Sequence, residues 1–308
     1  MQTIQPTAVR YIKLGPGGAW LRRCLAEGLV ELDYRAAPHA LARAGDWEAV
    51  ESIFATSNPA PGKAKSFRRE IEDFYRLGED CLWVTIGDGR LWWTFAQAEV
   101  FAVDEEGRGV RARRCAGDGW RGDDIGGDPL ALSSLSSRLT KVAAYQQTIC
   151  RIAAEDYLIR RINGQEEPAV VAAREAKTAM TIAAMPLIKA LDWRDFELLT
   201  DLIFAASGWR RTSAVGGSDQ ADTDLIYEQA VTGERAFVQV KSAASAAVLR
   251  DYIARFRADP TFDRMFFVCH SPSGAMTSEP GVHLWLGETL ADQAVRAGLF
   301  DWLIAKAR

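Results

Sequence analysis

The hydrophobic pattern of the first 135 residues alternates between short β-type runs and amphipathic helical runs. Apolar side chains that recur every three or four positions predict helices, and aromatic and β-branched runs predict strands. The predicted elements are strands over 9–14 and 29–34, helices over 20–27, 47–56 and 65–77, and a hairpin with strands over 81–86 and 91–95. This mixture indicates an α+β domain over 1–135.

The pattern becomes helical after residue 133. Helices are predicted over 138–162 and 168–190, with a break at Asn163-Gly164, and they form a helical connection over 136–190. From Asp192 onward the pattern reads helix, strand, strand, helix, strand, strand, helix. That order predicts a third region over 191–308, an α/β domain with a mixed central sheet flanked by helices.

Composition narrows the class of protein. A length of 308 residues with 48% hydrophobic and 25% charged residues is typical of a globular chain with two domains. No apolar run has the roughly 20 residues that cross a bilayer, and the first residues do not resemble a secretory signal. We therefore expect a cytoplasmic protein. The five cysteines are far apart and lack a CxxC pair, which favours reduced thiols over disulfides or a zinc site.

Charge argues against nucleic-acid binding by bulk electrostatics. The net charge is −4 and the pI is about 5.6. Residues 1–190 contain 25 basic and 25 acidic residues, so the acidic excess lies entirely in residues 191–308. This asymmetry suits a carboxylate site for a cation, although acidic helix surfaces would give the same sum.

Candidate catalytic residues occur after Asp192, which can cap a helix. Glu197 lies at the edge of the apolar face of that helix. On the predicted strand 235–241, alternation places Gln239 and Lys241 on one face and Val240 on the other. If the strands 223–227 and 235–241 pair as an antiparallel hairpin, Asp224 can lie opposite Gln239 and Lys241. An acid, an oxygen ligand and an ammonium group suit metal-dependent phosphodiester hydrolysis, whereas the alternative is a plain hairpin with an exposed lysine.

Several short motifs in this region resemble the Mrr-like branch of the PD-(D/E)xK nuclease superfamily, which includes many restriction endonucleases. These motifs are Phe196-Glu197, Gly208-Trp209, Gly216-Gly217, Asp224-Leu225 and Gln239-Val240-Lys241-Ser242. The resemblance covers about residues 190–308. It implies that the C-terminal region is a PD-(D/E)xK nuclease domain that uses Mg²⁺ to hydrolyse double-stranded DNA.

The resemblance also implies a role for each residue. Asp224 would be the metal-binding acid, Gln239 would occupy the position of the second acid, and the carbonyl of Val240 would help to hold the metal. Lys241 would be the catalytic lysine and Glu197 the acid of the helix. The chain departs from the family pattern in two ways: no proline precedes Asp224, and Gln239 carries no charge. Two further acids, Asp219 and Asp222, compete with Asp224 as metal ligands.

The first 120 residues are rich in tryptophan. On the strand 91–95, alternation places Trp93 and Trp92 on opposite faces. Such side chains either pack in the core or form the walls of a pocket for a flipped base. The Gly-Pro-Gly-Gly turn beside Trp20, followed by Asp33-Tyr34, resembles the PUA-like small barrels, a group that includes readers of modified bases. This resemblance implies a β-barrel in which Trp20, Trp92 and Trp93 contact DNA.

Two basic clusters add candidates for phosphate contacts. The first contains Arg68 and Arg69, and the second contains Arg111 and Arg113. Solvated surface charge is the alternative interpretation of both. No Gly-Lys-Ser/Thr follows the glycine turn, so we expect no nucleotide hydrolysis. The three histidines, His39, His270 and His283, are too scattered to form a zinc cluster.

These observations together predict a type IV-like restriction endonuclease that acts in phage defence. The N-terminal domain would recognise DNA that carries a modified base, and the C-terminal domain would cut it. Cutting two strands requires two sites, so we expect a homodimer or an assembly formed on DNA, with no membrane or nucleotide partner. The alternatives are a repair or structure-specific nuclease that ignores modification, and a catalytically decayed module that only binds DNA.

Overall fold

The computed structural model describes residues 3–57, 62–104, 107–212 and 225–307. The chain divides into two compact units, Met1–Glu167 and Pro168–Arg308. This division falls within 136–190, the stretch that the sequence suggests as a helical connection.

The first unit combines α-helices with short strands. Its described elements are β1 (Ala8–Ile12), α1 (Leu21–Glu27), β2 (Leu29–Leu32), α2 (His39–Ala44), α3 (Trp47–Ser57), α4 (Lys63–Arg76), β3 (Cys81–Gly87), β4 (Arg90–Phe95), β5 (Phe101–Ala102), β6 (Arg111–Arg114), α5 (Ser137–Thr140), β7 (Ile149–Arg151) and α6 (Glu155–Ile162). The predicted hairpin is confirmed as β3–β4, with Ile86 paired to Leu91.

The strands of the first unit form two sheets. One has the order β4-β3-β1-β7, and the other has the order β2-β6-β5. In the described residues they do not close into the small barrel that the sequence suggests. At the β7 edge, the carboxylate of Glu70 on α4 accepts hydrogen bonds from the backbone N–H groups of Thr148 and Ile149, which a further strand would otherwise use.

The predicted helix over 138–162 is wrong for much of its length. The short helix α5 ends at Thr140, and Ile149–Arg151 form β7, which pairs antiparallel with β1. A 3-10 helix over Lys141–Ala144 follows α5, and the α-helix resumes only at α6, Glu155–Ile162. The backbone of residues 149–151 is satisfied by β1, so tertiary pairing overrides a local pattern that also fits a helix.

The second unit is an α/β domain. Its described elements are α7 (Pro168–Lys189), α8 (Trp193–Ala206), β8 (Trp209–Arg211), β9 (Leu225–Gln229), β10 (Arg235–Ser245), α9 (Ala246–Ala258), β11 (Arg264–Ser273), β12 (Val282–Leu286), α10 (Gly287–Arg296) and α11 (Phe300–Lys306). The predicted order of elements is confirmed with two changes. The strand β8 is additional, and the last predicted helix is two helices separated by the left-handed Gly298.

These elements form a mixed five-stranded sheet with helices on both faces. The order is β12-β11-β10-β9-β8, in which β10, β11 and β12 are parallel and β8, β9 and β10 are antiparallel. One face packs Val238 against Leu199 of α8 and residues of α7 and α10. The other face packs Phe237 against Tyr252 of α9. Among the described residues, no helix combines the length and hydropathy of a membrane span.

Candidate active site

The central strand β10 carries both predicted site residues of the Gln-x-Lys motif. Its side chains alternate as predicted, with Val238 in the core on the α8 side and Phe237 in the core on the α9 side. Gln239 and Lys241 follow Phe237 on the α9 side. The ammonium group of Lys241 lies 5.5 Å from the ring centroid of Tyr252. This cation–π contact holds the half-buried lysine over the face of α9.

The amide of Gln239 is only 4% exposed. Its Nε2 donates a long hydrogen bond of 3.4 Å to the carbonyl oxygen of Val240. Its Oε1 is buried and has no hydrogen-bond partner within the described part of the chain. A buried acceptor without a partner is costly, and such atoms are often explained by an ion or water. Oxygen is the ligand that Mg²⁺ prefers, so this atom fits a divalent cation.

Glu197 lies on α8, directly after the buried Phe196. The helix begins at the cap Asp192, whose Oδ1 accepts from the backbone N–H of Arg194 at 3.1 Å. Burial raises the pKa of Glu197, and the charge of Asp201 adds to this effect, whereas Arg211 and Lys241 oppose it. The electrostatic influence of Lys241 couples the acid of α8 to the lysine of β10.

A polar cluster beside Glu197 is not predicted by the sequence pattern. Asp201 lies one helical turn after Glu197 and pairs with Arg211 of β8 at 2.7 Å. The hydroxyl of Tyr227 on β9 also donates to Asp201. The signal available in the sequence was the i, i+4 spacing of Glu197 and Asp201, but β8 has only three residues and was not predicted.

Asp224, the predicted metal-binding acid, lies outside the described residues, and so do Asp219, Asp222 and the Gly216-Gly217 pair. Asp224 immediately precedes Leu225, which pairs with Val238 of β10. Among the side chains that the structure describes, no group of three or more His, Cys, Asp or Glu is placed to hold a metal.

The three candidate tryptophans of the first unit pack internally. Trp20 is 8% exposed and belongs to the core on the β3–α4 side. Trp93 is 5% exposed, and its Nε1 donates to the carbonyl of Asp123 at 2.7 Å. Trp92 is half-buried on the opposite face, where its Nε1 donates to the carbonyl of Gly87 at 3.1 Å. The opposite orientations of Trp92 and Trp93 agree with the predicted alternation, and all three rings contribute to packing.

The basic candidates divide into buried and accessible ones. Arg111 and Arg113 are fully buried, and both donate hydrogen bonds to backbone carbonyls. This placement argues against the predicted phosphate contacts at these two positions. Arg68 pairs with Glu51 at 2.9 Å and with Glu72. Arg69 is exposed on α4.

The central strand of this α/β sheet carries an amide oxygen and a lysine, and the neighbouring helix α8 carries an acid, a set of groups that suits metal-dependent phosphodiester hydrolysis. A family model described as restriction endonuclease, the Mrr catalytic domain, matches residues 188–292. This segment is therefore a Mrr-like restriction-endonuclease domain, and it contains Glu197, Asp224, Gln239 and Lys241. Comparisons with curated proteins and with solved structures gave no match.

Proposed function

We propose that the protein is a Mg²⁺-dependent DNA endonuclease whose second unit hydrolyses phosphodiester bonds. The observation that carries the proposal is the buried Oε1 of Gln239, which has no hydrogen-bond partner among the described residues and lies two residues before Lys241 on the central strand of the matched segment. A buried amide oxygen without a partner supports an ion or a water at this point of the strand.

The donor set suits a hard cation. Gln239 Oε1, the carbonyl of Val240 and the carboxylate of Asp224 would hold the ion, and one or two carboxylates with waters and phosphate oxygens are enough for Mg²⁺. The ion supplies Lewis-acid polarisation of the phosphate and activation of a water.

The residues of the chain supply proton handling and charge stabilisation. The ammonium group of Lys241 stabilises the negative charge that develops on the phosphate oxygens. Glu197, with its pKa raised by burial, is suited to accept a proton and to orient the attacking water. The positive charges of Arg211 and Lys241 oppose this rise in pKa and favour the ionised carboxylate.

Target choice belongs to the first unit in this proposal. It would recognise duplex DNA, and recognition of a modified base would make the enzyme a modification-dependent restriction endonuclease in phage defence. The internal packing of Trp20 and Trp93 favours a second candidate, a repair or structure-specific nuclease without modification dependence. Either enzyme would act as a homodimer or as an assembly on DNA, because each chain has one matched catalytic segment.

The test is digestion of matched duplexes that are unmodified, cytosine-modified or adenine-modified, in Mg²⁺ and in EDTA. We expect Mg²⁺-dependent cutting that Lys241→Ala and Asp224→Ala each reduce by about 100-fold or more. Lys177→Ala, at an exposed lysine paired with Asp292 on α10, is the matched control and should cut normally. Cutting of only one modified duplex supports the restriction enzyme, and equal cutting supports the second candidate.

Two results would contradict catalysis. One is full activity of both Lys241→Ala and Asp224→Ala. The other is selective binding of DNA in gel shifts without cutting of any substrate, which would leave a DNA-binding module with a decayed site.

A further inference from the structure

The first unit contains a cavity of about 300 Å³ between α4 and the β1–β7 edge of the four-stranded sheet. Three arginines line it: Arg10 of β1, Arg69 of α4 and Arg151 of β7. The matched segment 188–292 does not include any of them. The volume is at the small end of the range of ligand sites, which runs from about 300 to 1,000 Å³.

The register of the sheet brings two of these arginines together. In the antiparallel β1–β7 pair, Arg10 is directly opposite Arg151, so both side chains lie on the same face. Like charges at directly opposed positions repel each other and destabilise a sheet. Arg69 adds a third positive charge from α4, and a bound anion would remove this repulsion.

The carboxylates that line the cavity are already engaged. Asp73 accepts from Arg10 Nε at 2.6 Å. Glu70 is 2% exposed, and its Oε2 accepts from the hydroxyl of Tyr34 at 2.7 Å as well as from two backbone N–H groups of the β7 edge. Arg69 and Arg151 are exposed, and within the described residues neither forms an ion pair. The cavity therefore has two guanidinium groups outside any ion pair among the described residues, and with Glu70 and Asp73 included its lining keeps one net positive charge.

We propose that this cavity binds the phosphate group of a nucleotide, either free or within a nucleic-acid strand. Guanidinium groups match phosphate oxygens with paired, charge-assisted hydrogen bonds. Arg10 is buried and held in place by its ion pair with Asp73. Arg69 of α4 and Arg151 of β7 would bind the anion from two different elements. Tyr145 also lines the cavity; it is half-buried against the neighbouring core, and its accessible part would contact the attached base or sugar.

The experiment measures binding by the full chain in EDTA, so that no cutting occurs. The ligands are thymidine monophosphate, followed by calorimetry, and a fluorescent 20-nucleotide single strand, followed by anisotropy. The variants are Arg69→Gln, Arg151→Gln and the double variant. Arg90→Gln is the matched control, because Arg90 is exposed on β4, the strand at the opposite edge of the same sheet. Thermal unfolding shows that each variant is folded.

We expect each single substitution to weaken binding about tenfold and the double variant to weaken it more, with Arg90→Gln unchanged. If the mononucleotide binds, a free nucleotide is enough to occupy the cavity. If only the single strand binds, the phosphate that the cavity recognises belongs to a nucleic acid. The proposal is overturned if neither ligand binds, if the double variant binds like wild type, or if Arg90→Gln loses as much as the double variant. The two proposals have different readouts: binding of thymidine monophosphate by the double variant tests this cavity, and Mg²⁺-dependent cutting by Lys241→Ala tests the nuclease site.

Discussion

At the scale of single residues, Glu197 of the second unit lies in an environment that disfavours its charge. Burial raises the pKa of Glu197, so the folded protein binds a proton there more readily than the unfolded chain does. The ionised carboxylate therefore lowers the stability of the fold as the pH rises above the ordinary value of 4.5. A carboxylate whose charge opposes the stability of the fold is a candidate for function.

Glu197→Gln tests whether the charged carboxylate lowers stability and supports cleavage. We expect the variant to unfold at a higher temperature than wild type at pH 7, with the difference shrinking towards zero as the pH falls below 4.5. Its rate of DNA cleavage should fall, because glutamine cannot accept a proton. Glu228→Gln, at an exposed glutamate of β9, should change neither quantity. A variant that is less stable than wild type at pH 7 would contradict the argument.

Arg113 shows why a basic cluster in a sequence is ambiguous. Its guanidinium group donates to the carbonyls of Gln97, Phe74, Leu77, Gly78 and Ala96, and it is completely buried. Burial lowers the pKa of Arg113, but the ring of Trp83 lies 5.6 Å away and adds a favourable cation–π contact. The residue holds the loop after α4 to the β6 strand.

Replacing Arg113 should make the first unit less stable. Arg113→Met leaves several buried carbonyls without donors, and we expect it to lower the free energy of unfolding in urea by about 3 kcal/mol or more. The neighbouring Arg114 is exposed on the same strand, so Arg114→Met should cost at most about 0.5 kcal/mol. Similar losses of unfolding free energy in the two variants would show that the hydrogen bonds of Arg113 do not stabilise the first unit.

At the scale of elements, the turn before α1 fixes the position of Trp20. Gly15 has φ 79° and ψ 174°, a conformation that only glycine adopts readily. A Cβ at this position would lie 2.4 Å from Cδ2 of the Trp20 ring. The turn that resembles a base-reading motif in the sequence therefore covers the ring from one side.

Gly15→Ala should destabilise the first unit. The backbone strain alone is about 1–3 kcal/mol, and displacement of the Trp20 ring adds to it. Gly17→Ala is the matched control, since a Cβ there meets nothing within 4 Å and the cost should be smaller, about 1 kcal/mol. Urea unfolding followed by tryptophan fluorescence measures both, and equal losses would contradict the packing argument.

The elements that the sequence predicts correctly are those whose local pattern agrees with their tertiary contacts. The hairpin β3–β4 and the helix α8 carry strong periodicity and clear boundaries, and alternation along β10 correctly placed Gln239 beside Lys241 on one face. The strands β6 and β7 were missed for a different reason. β7 pairs with β1 and β6 pairs with β2, partners about 80 to 140 residues away, and β6 contains two buried arginines whose burial depends on hydrogen bonds to distant carbonyls.

The candidate site was predictable only in part for the same reason. Gln239 and Lys241 lie on one strand, so a period of two is enough to associate them. The pairing of Asp201 with Arg211 and Tyr227 joins three elements, and nothing in local periodicity indicates it. That Gln239 Oε1 has no hydrogen-bond partner among the described residues is likewise a property of the packed sheet and not of the motif.

At the scale of the whole molecule, the negative net charge disfavours DNA binding, whereas local groups of arginines favour it. A chain of net charge −4 has weak general attraction for DNA, so contacts with phosphates depend on where its accessible cations lie. Arg111 and Arg113 are committed to internal carbonyls, whereas Arg69 and Arg151 face a cavity. Fewer phosphate contacts would give a shallower dependence of DNA affinity on salt than a broad basic surface would.

The number of catalytic segments sets how the molecule cuts a duplex. One chain contains one matched nuclease segment, and the two strands of DNA run in opposite directions, so one chain at one position can cut only one strand at a time. With supercoiled plasmid, we expect nicked circles to accumulate first at low protein concentration. The rate of forming linear DNA should rise more steeply than in proportion to protein concentration, because a second chain must join the first. Linear product that forms without nicked circles, at a rate proportional to protein concentration down to the lowest level tested, would instead require a dimer that is already complete in solution. Sedimentation of the free protein at the same concentrations separates these two modes of assembly.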